Sequence, residues 1–458
     1  MNHDLVVLVP GIMGTALLRD GVDVWDLTPE ALGRLTGPGQ LRQLLQLPEG
    51  IGDDDPDPRH ALEIGGLVHG RRLLPGLISS VEDAGLGRRL GVDPARFAVF
   101  RYDWRLSNRN SARQLERFVE TRLSHWRETT DPQRYPGARD AKVVFLCRSM
   151  GGLVVRYYAE VLEGWKQTRA VATLGTPFSG SVKALRFLTG RMKWVPAPLA
   201  EQIRAICATY PSVAQMLPTY RVVLDAVKGR VRLGSQPVDG IDRWMLDDCF
   251  RLLHQVGVAV RNNDKARPGR YELVVFGGDK HRTDQAVSLS VDGRPRFHQD
   301  LSASSAPADR TVRLSGDGTV SNIAQMPPER ISTVSALWLD GRHADLINVK
   351  EARRQLRRVC DGEPVAGALS EGHPLDVEIP DFAEAGAPIE VCVANADTAM
   401  NLRVRLIGED GVCVAEEPML PYGGGDFRAQ LRAGAGRWTV EVRSEALQYS
   451  CRDVVLVA

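Results

Sequence analysis

The stretch Val143-Val-Phe-Leu-Cys-Arg-Ser-Met-Gly-Gly152 is an apolar run that ends in a serine and two glycines. It passes directly into residues 153–162, where apolar side chains recur at helical spacing. The pattern predicts a strand, a sharp turn and a helix, with Ser149 at the turn. Such a turn strains the serine backbone, exposes its hydroxyl at the carboxyl edge of a sheet and aims the helix N-terminus at it. Gly151 and Gly152 supply the small neighbours this needs on the helical side, while Cys147 stands in place of the first glycine of G-x-S-x-G. A serine before a helix also serves as an ordinary cap. The reading therefore turns on whether the rest of the chain supplies a base and an acid.

Working outward, apolar runs at 5–9, 97–102 and 143–147 flank a helical segment at 111–126, in which Leu115, Phe118, Val119, Leu123 and Trp126 form one buried stripe. Strand, helix and strand in series predict an α/β fold with a parallel sheet covered on both faces. From 181 to 270 the pattern turns helical and irregular, as expected of a cap inserted over a sheet rather than another layer of it. Strand-like texture resumes at 271–276, 311–314 and 333–339, and a helix at 348–359 closes the unit. Short alternating strands separated by Gly, Pro and Asp turns follow at 374–380, 388–394, 402–407, 436–443 and 451–457. They predict a separate all-β sandwich. The expected organisation is a catalytic domain over 1–365 and an accessory sandwich over 368–458.

With 458 residues, 43% hydrophobic and 25% charged, the chain has the make-up of a globular protein of two domains. Its 58 basic and 57 acidic side chains leave a net charge of +1, which supplies no global field for nucleic acid. No apolar run approaches the roughly 18 residues that cross a bilayer, so membrane contact is expected to be peripheral. The start lacks the basic region and cleavage site of a signal peptide. Seven scattered cysteines without a Cys-x-x-Cys pair fit free thiols in a cytoplasmic setting and no thiolate metal site. The acidic run 53–57 holds prolines and lacks the pattern of a calcium loop, and reads as a solvated turn.

A nucleophilic serine needs a base to take its proton and an acid to hold that base. Asp317, in Ser315-Gly-Asp-Gly-Thr-Val320, follows the expected strand at 311–314 between two glycines that let the loop project a carboxylate. Read alone it is an Asp-Gly turn. His343, in Asp340-Gly-Arg-His-Ala-Asp-Leu346, again lies past a strand and before a helix, whereas His373 falls in the linker to the sandwich. Serine, acid and histidine in this order, each at a strand end, are more specific than any one of them. The oxyanion hole calls for two converging backbone N–H groups. Met150 is expected to give one, and Ile12, in Val9-Pro-Gly-Ile-Met-Gly-Thr15, the other.

Here the sequence resembles the lecithin:cholesterol acyltransferase and lysosomal phospholipase A2 family of α/β-hydrolases. The resemblance rests on Val9-Pro-Gly-Ile-Met-Gly-Thr15, Tyr102-Asp-Trp-Arg105, Ser149-Met-Gly-Gly152, Leu174-Gly-Thr-Pro-Phe178, Pro211-Ser-Val-Ala-Gln-Met-Leu-Pro218, Gly316-Asp-Gly-Thr-Val320 and His343, over roughly the first 350 residues. It implies a triad of Ser149, Asp317 and His343, an oxyanion hole of Ile12 and Met150, a lid at about 21–74 and a cap at about 181–270. It also implies apolar lipid contacts at Trp25, Trp194 and Leu199, each of which reads equally as core packing. Cys147 and Arg148 depart from the small residue and histidine usual before the serine. The lid has no cysteine pair. The implied activity is hydrolysis or transfer of acyl groups from a lipid-like ester through an acyl-enzyme, without metal or organic cofactor. Membrane contact would run through the lid. A small-ester or thioester hydrolase, or an effector recruited by a protein partner at the sandwich, are the competing readings.

Overall fold

The computed structural model describes residues 3–25, 40–68, 83–193, 195, 197–225, 227–267, 270–299, 316–330, 336–365, 376–380, 382–394, 401–423, 426–444 and 449–457. Six parallel strands form the central sheet. From one edge they are Ala336–Asp340, Glu272–Asp279, Thr168–Leu174, Val143–Arg148, Leu5–Val9 and Phe97–Val99. Alternation along the strands divides the core in two. Leu5, Val7, Val9, Val143, Phe145 and Cys147 pack on one face, and Val6, Leu8, Val144 and Leu146 on the other. Both faces are thus covered, as continuous apolar runs in parallel strands require.

The helix expected at 111–126 spans Asn108–Thr129. It starts earlier because Ser107 caps it, accepting the Arg109 N–H at 3.2 Å. Leu115, Val119, Leu123 and Trp126 form its buried stripe. The helix Lys350–Asp361 closes the unit against the opposite face. The strand expected at 311–314 lies outside the described residues. Thr168–Leu174, central to the sheet, is a strand the patterning did not pick out.

The cap region is less purely helical than expected. Helices Val182–Leu188, Ala197–Cys207, Pro211–Ala214 and Arg243–Ala266 share it with a hairpin, Val223–Asp225 and Gly229–Val231. That hairpin joins Ala286–Leu289 and Pro295–His298 in a separate four-stranded sheet. In the lid region, Val22–Trp25, Thr15–Arg19 and Glu63–Leu67 make a three-stranded sheet. The acidic run is a turn, but a docked one: Asp53 accepts from Ser107 Oγ and Asp55 from Asn110 Nδ2, against the start of the long helix.

Among the described residues the C-terminal region is all β, with two sheets facing across a core that includes Val377, Val391, Leu402, Val404, Phe427, Val440, Val442 and Val455. Pro388–Ala394 and Leu402–Ile407 carry the expected bounds. No disulfide joins the six cysteines whose side chains are described. Among the described residues no helix is long and apolar enough to cross a membrane and no cluster has the make-up of a metal site.

A buried ion network ties the helix Gly151–Glu160 to the cap. Glu160 accepts from Arg156 at 2.9 Å, Arg270 at 2.6 Å, Tyr271 at 2.7 Å and Asn263 at 2.9 Å, and Arg156 also binds Glu329. Burial alone would raise the Glu160 carboxyl, but Arg156, the Asn263 and Tyr271 hydrogen bonds and Arg270 together hold it below the usual carboxylate range. Glu160→Ala would remove the carboxylate shared by two buried guanidinium groups, leaving Arg156 only Glu329 and Arg270 only Asp264 as acidic partners. Its expected cost is about 3–5 kcal/mol, read as a lower denaturation midpoint by circular dichroism.

Candidate active site

Ser149 lies between the strand Val143–Arg148 and the helix Gly151–Glu160 with a left-handed φ of 46°, a strained conformation for a residue with a side chain. Its N–H donates to Leu174 O at 2.9 Å, and its own carbonyl accepts from Thr176 Oγ1 at 2.9 Å. The elbow is therefore held from the neighbouring strand end. Gly152 must be a glycine here: a Cβ would lie 2.1 Å from Thr176 Oγ1.

The structure brings Asp317 and His343 to this point from two other loops. His343 Nε2 is 2.9 Å from Ser149 Oγ, and its Nδ1 is 2.6 Å from Asp317 Oδ2. An ionised carboxylate only accepts, so Nδ1 carries the proton and Nε2 is left to accept from the serine hydroxyl. Asp317 is fixed in turn. Its Oδ1 accepts the N–H groups of Thr319 at 2.9 Å and Val320 at 2.7 Å, and its carbonyl accepts from His343 N at 2.8 Å. Backbone pairing of Gly316 with His281, and Gly318 N–H donating to Thr283 Oγ1 at 2.9 Å, anchor the loop.

Arg148, noted in the sequence only as a departure, supports the histidine loop from below. Its guanidinium donates to His343 O at 2.9 Å and to Ala344 O at 3.3 Å. Burial lowers its pKa to about 10, against the pull of Asp345 and Asp317.

Ile12 and Met150 flank Ser149, Ile12 on the loop after the first strand and Met150 directly after the serine. Among the described residues no hydrogen bond within the chain uses either backbone N–H. Three aromatic side chains brace the Ile12 loop by its carbonyls: Tyr102 Oη to Pro10 O at 2.8 Å, Trp25 Nε1 to Met13 O at 3.1 Å and Trp104 Nε1 to Thr15 O at 2.9 Å. Arg105 holds Asp103 and reaches the carbonyls of Leu45 and His60. The Tyr102-Asp-Trp-Arg105 motif thus joins the loop to the lid region. Gly11 touches the serine itself, since a Cβ would lie 2.9 Å from Ser149 Cβ. Gly11→Ala is expected to push loop and nucleophile apart and lower kcat about 100-fold with an unchanged fold, measured by steady-state kinetics.

A cavity of about 500 Å³, counting its open mouth, reaches Ser149 and His343 and is walled by Ile12, Met13, Ala184, Phe187, Val213 and Met216, with Lys183 beside Ser181. An apolar wall of this kind accommodates an acyl chain. Trp25 and Leu199 are not among its lining residues. Trp25 is buried edge-on against Trp104, and Leu199 is half-buried against the main core. Trp194 lies outside the described residues. Cys207, from the same helix as Leu199, does line the cavity, its thiol pushed up to about 12 by burial.

Residues 88–264, less than half of the chain, match the profile of the lecithin:cholesterol acyltransferase family. The match includes Ser149 and stops before Asp317 and His343. Among solved structures the chain is similar to that described as the Tle4-Tli4 complex, at 18% identity over 78% of this chain and 98% of that chain, TM-score 0.47. It is also similar to Bacillus licheniformis lipase BlEst2 in propeptide form, at 12% identity over 98% and 73%, TM-score 0.32. Phospholipase PlaB from Legionella pneumophila is similar at 10% identity over 81% and 87%, TM-score 0.31. No curated protein matches the chain in sequence.

Proposed function

We propose that this chain, whose residues 88–264 match the lecithin:cholesterol acyltransferase family, is an esterase or acyltransferase of the lipase kind, a serine enzyme that hydrolyses or transfers the acyl group of a lipid-like ester. The observation that carries this is the continuous chain from Ser149 Oγ through the His343 imidazole to the Asp317 carboxylate, at 2.9 and 2.6 Å, opening on an apolar cavity.

In this reading Ser149 attacks the ester carbonyl as His343 Nε2 takes its proton, and Asp317 stabilises the imidazolium. The Ile12 and Met150 N–H groups receive the oxyanion. His343 returns the proton to the leaving alcohol. Water, or a second alcohol, then releases the acyl group from Ser149 by the same steps in reverse. The proposed catalytic domain is 1–365, with the sandwich at 368–458 as an accessory unit.

The test is incubation of the purified chain with diacyl phospholipids, neutral glycerides and water-soluble esters, followed by mass spectrometry of the products. Release or transfer of a fatty acyl group by the wild type, absent with Ser149→Ala, supports the reading. Turnover of water-soluble esters alone would overturn the lipid assignment.

A further inference from the structure

Two hairpins of the four-stranded sheet repeat one motif whose tip valines and basic side chains neither the core nor the active site uses. Val227-Lys-Gly-Arg-Val-Arg232 and Val291-Asp-Gly-Arg-Pro-Arg296 share the pattern Val-x-Gly-Arg-x-Arg. The first forms the turn between Val223–Asp225 and Gly229–Val231, the second that between Ala286–Leu289 and Pro295–His298. The two inner strands run parallel, with Val223 opposite Val287 and Leu224 opposite Ser288. Both turns therefore leave the same end of the sheet, about 4.8 Å apart at their bases.

Each turn is built to hold its shape. Asp225 Oδ1 accepts the N–H groups of Val227 at 2.9 Å and Lys228 at 2.8 Å. In the other, Ser290 N–H donates to Arg294 O at 3.0 Å and Gly293 N–H to Ser290 O at 2.9 Å. The valines at the tips have nothing to pack against: Val227 is 92% and Val291 109% exposed. Turns normally carry Gly, Asn, Asp, Ser or Pro for their hydrogen bonds and backbone freedom, and a β-branched apolar residue gains nothing there. One such residue would mean little. Two on neighbouring convex tips, with the same basic flank, do not arise from core packing.

The flank consists of Lys228, Arg230, Arg232, Arg294 and Arg296, all exposed. The acidic side chains of the turns are partly engaged. Asp225 binds its own turn amides, and Asp292 pairs with Arg294 at 2.9 Å. Asp239 also lies close, its N–H donating to Gly293 O.

We propose that the paired tips are an interfacial anchor, in which Val227 and Val291 enter the boundary between headgroups and acyl chains of an anionic lipid surface and the basic flanks pair with its phosphates. The shape favours a bilayer. Two protruding apolar points need a soft, continuous apolar phase and offer no groove for a protein segment. The arginine stems can lie along the acyl boundary while their heads stay with phosphate. The site lies outside the lid region, where the sequence had suggested membrane contact, and it holds whichever ester Ser149 cleaves.

The experiment sediments the full chain, carrying Ser149→Ala so that lipid is not consumed, with vesicles of phosphatidylcholine and phosphatidylglycerol or of phosphatidylcholine alone. The chain should follow the mixed vesicles. V227S/V291S should lower that partitioning at least about tenfold. K228E/R294E should lower it by about fivefold or more per charge and flatten its salt dependence. With Ser149 intact, V227S/V291S should turn over a short water-soluble ester at the wild-type rate. Unchanged partitioning of V227S/V291S, equal partitioning into phosphatidylcholine alone, or a wild-type chain left in the supernatant would overturn the anchor. So would tip substitutions that dissolve a self-associated form without altering vesicle binding. Soluble-ester turnover missing from the wild type would count against the proposed enzyme while leaving the vesicle result in force.

Discussion

His343→Ala is expected to lower kcat toward a short soluble ester by about 10⁶-fold with little change in KM. A serine hydroxyl is a poor nucleophile until a base takes its proton, and the imidazole nitrogen 2.9 Å from Ser149 Oγ is placed to do so. The same nitrogen must later protonate the leaving alcohol, so its loss disables both halves of the cycle. In the proposed reaction the substrate lies against the apolar wall from Ile12, Phe187 and Met216, which the substitution leaves in place. Steady-state kinetics, with circular dichroism to verify folding, measure the effect. A kcat within tenfold of wild type would mean that another base serves Ser149.

Asp317→Asn is expected to lower kcat by about 10⁴-fold. The substitution keeps size and shape, and its carbonyl oxygen can still accept from Thr319 and Val320 N–H, so the loop and the fold should survive. What changes is the group facing His343 Nδ1. A carboxylate accepts the Nδ1 proton, whereas an amide nitrogen there donates and drives the proton to Nε2. Nε2 then faces the serine as a donor and cannot take its proton. The denaturation midpoint should move little while kcat collapses. Loss of both together would instead make Asp317 a structural residue.

How far the sequence reveals this arrangement depends on the range of the interactions. The elbow is local: an apolar run, a serine and two glycines lie within ten residues, and the periodicity on either side states strand and helix. Asp317 and His343 are legible because chain order limits the choices, Asp317 standing between two glycines and His343 following the strand Ala336–Asp340. The alternating strands Pro388–Ala394 and Leu402–Ile407 were plain for a similar reason, with one face buried and the other partly exposed. Arg148 shows the opposite case. In sequence it is a charge ending an apolar run, and its partners, two carbonyls some 195 residues away, exist only in the fold. Trp25 reads as a lipid contact because the resemblance places this aromatic residue in the expected lid stretch, yet its ring is spent on Trp104 and its N–H on Met13 O. The strands Val223–Asp225 and Gly229–Val231 are too short to show a period of two. Asp426–Arg432 does alternate polar and apolar residues at a period of two, with Phe427, Ala429 and Leu431 buried against Pro388–Ala394, and is a strand that the reading of the sequence did not pick out.

The central claim, that Ser149 is the reacting atom's owner, is tested most directly by treating the folded chain with a fluorophosphonate and mapping the adduct by peptide mass spectrometry. The account predicts one adduct, on the peptide holding Ser149, absent from Ser149→Ala and strongly reduced in His343→Ala. An adduct on any other residue, or one that persists in Ser149→Ala, would contradict it.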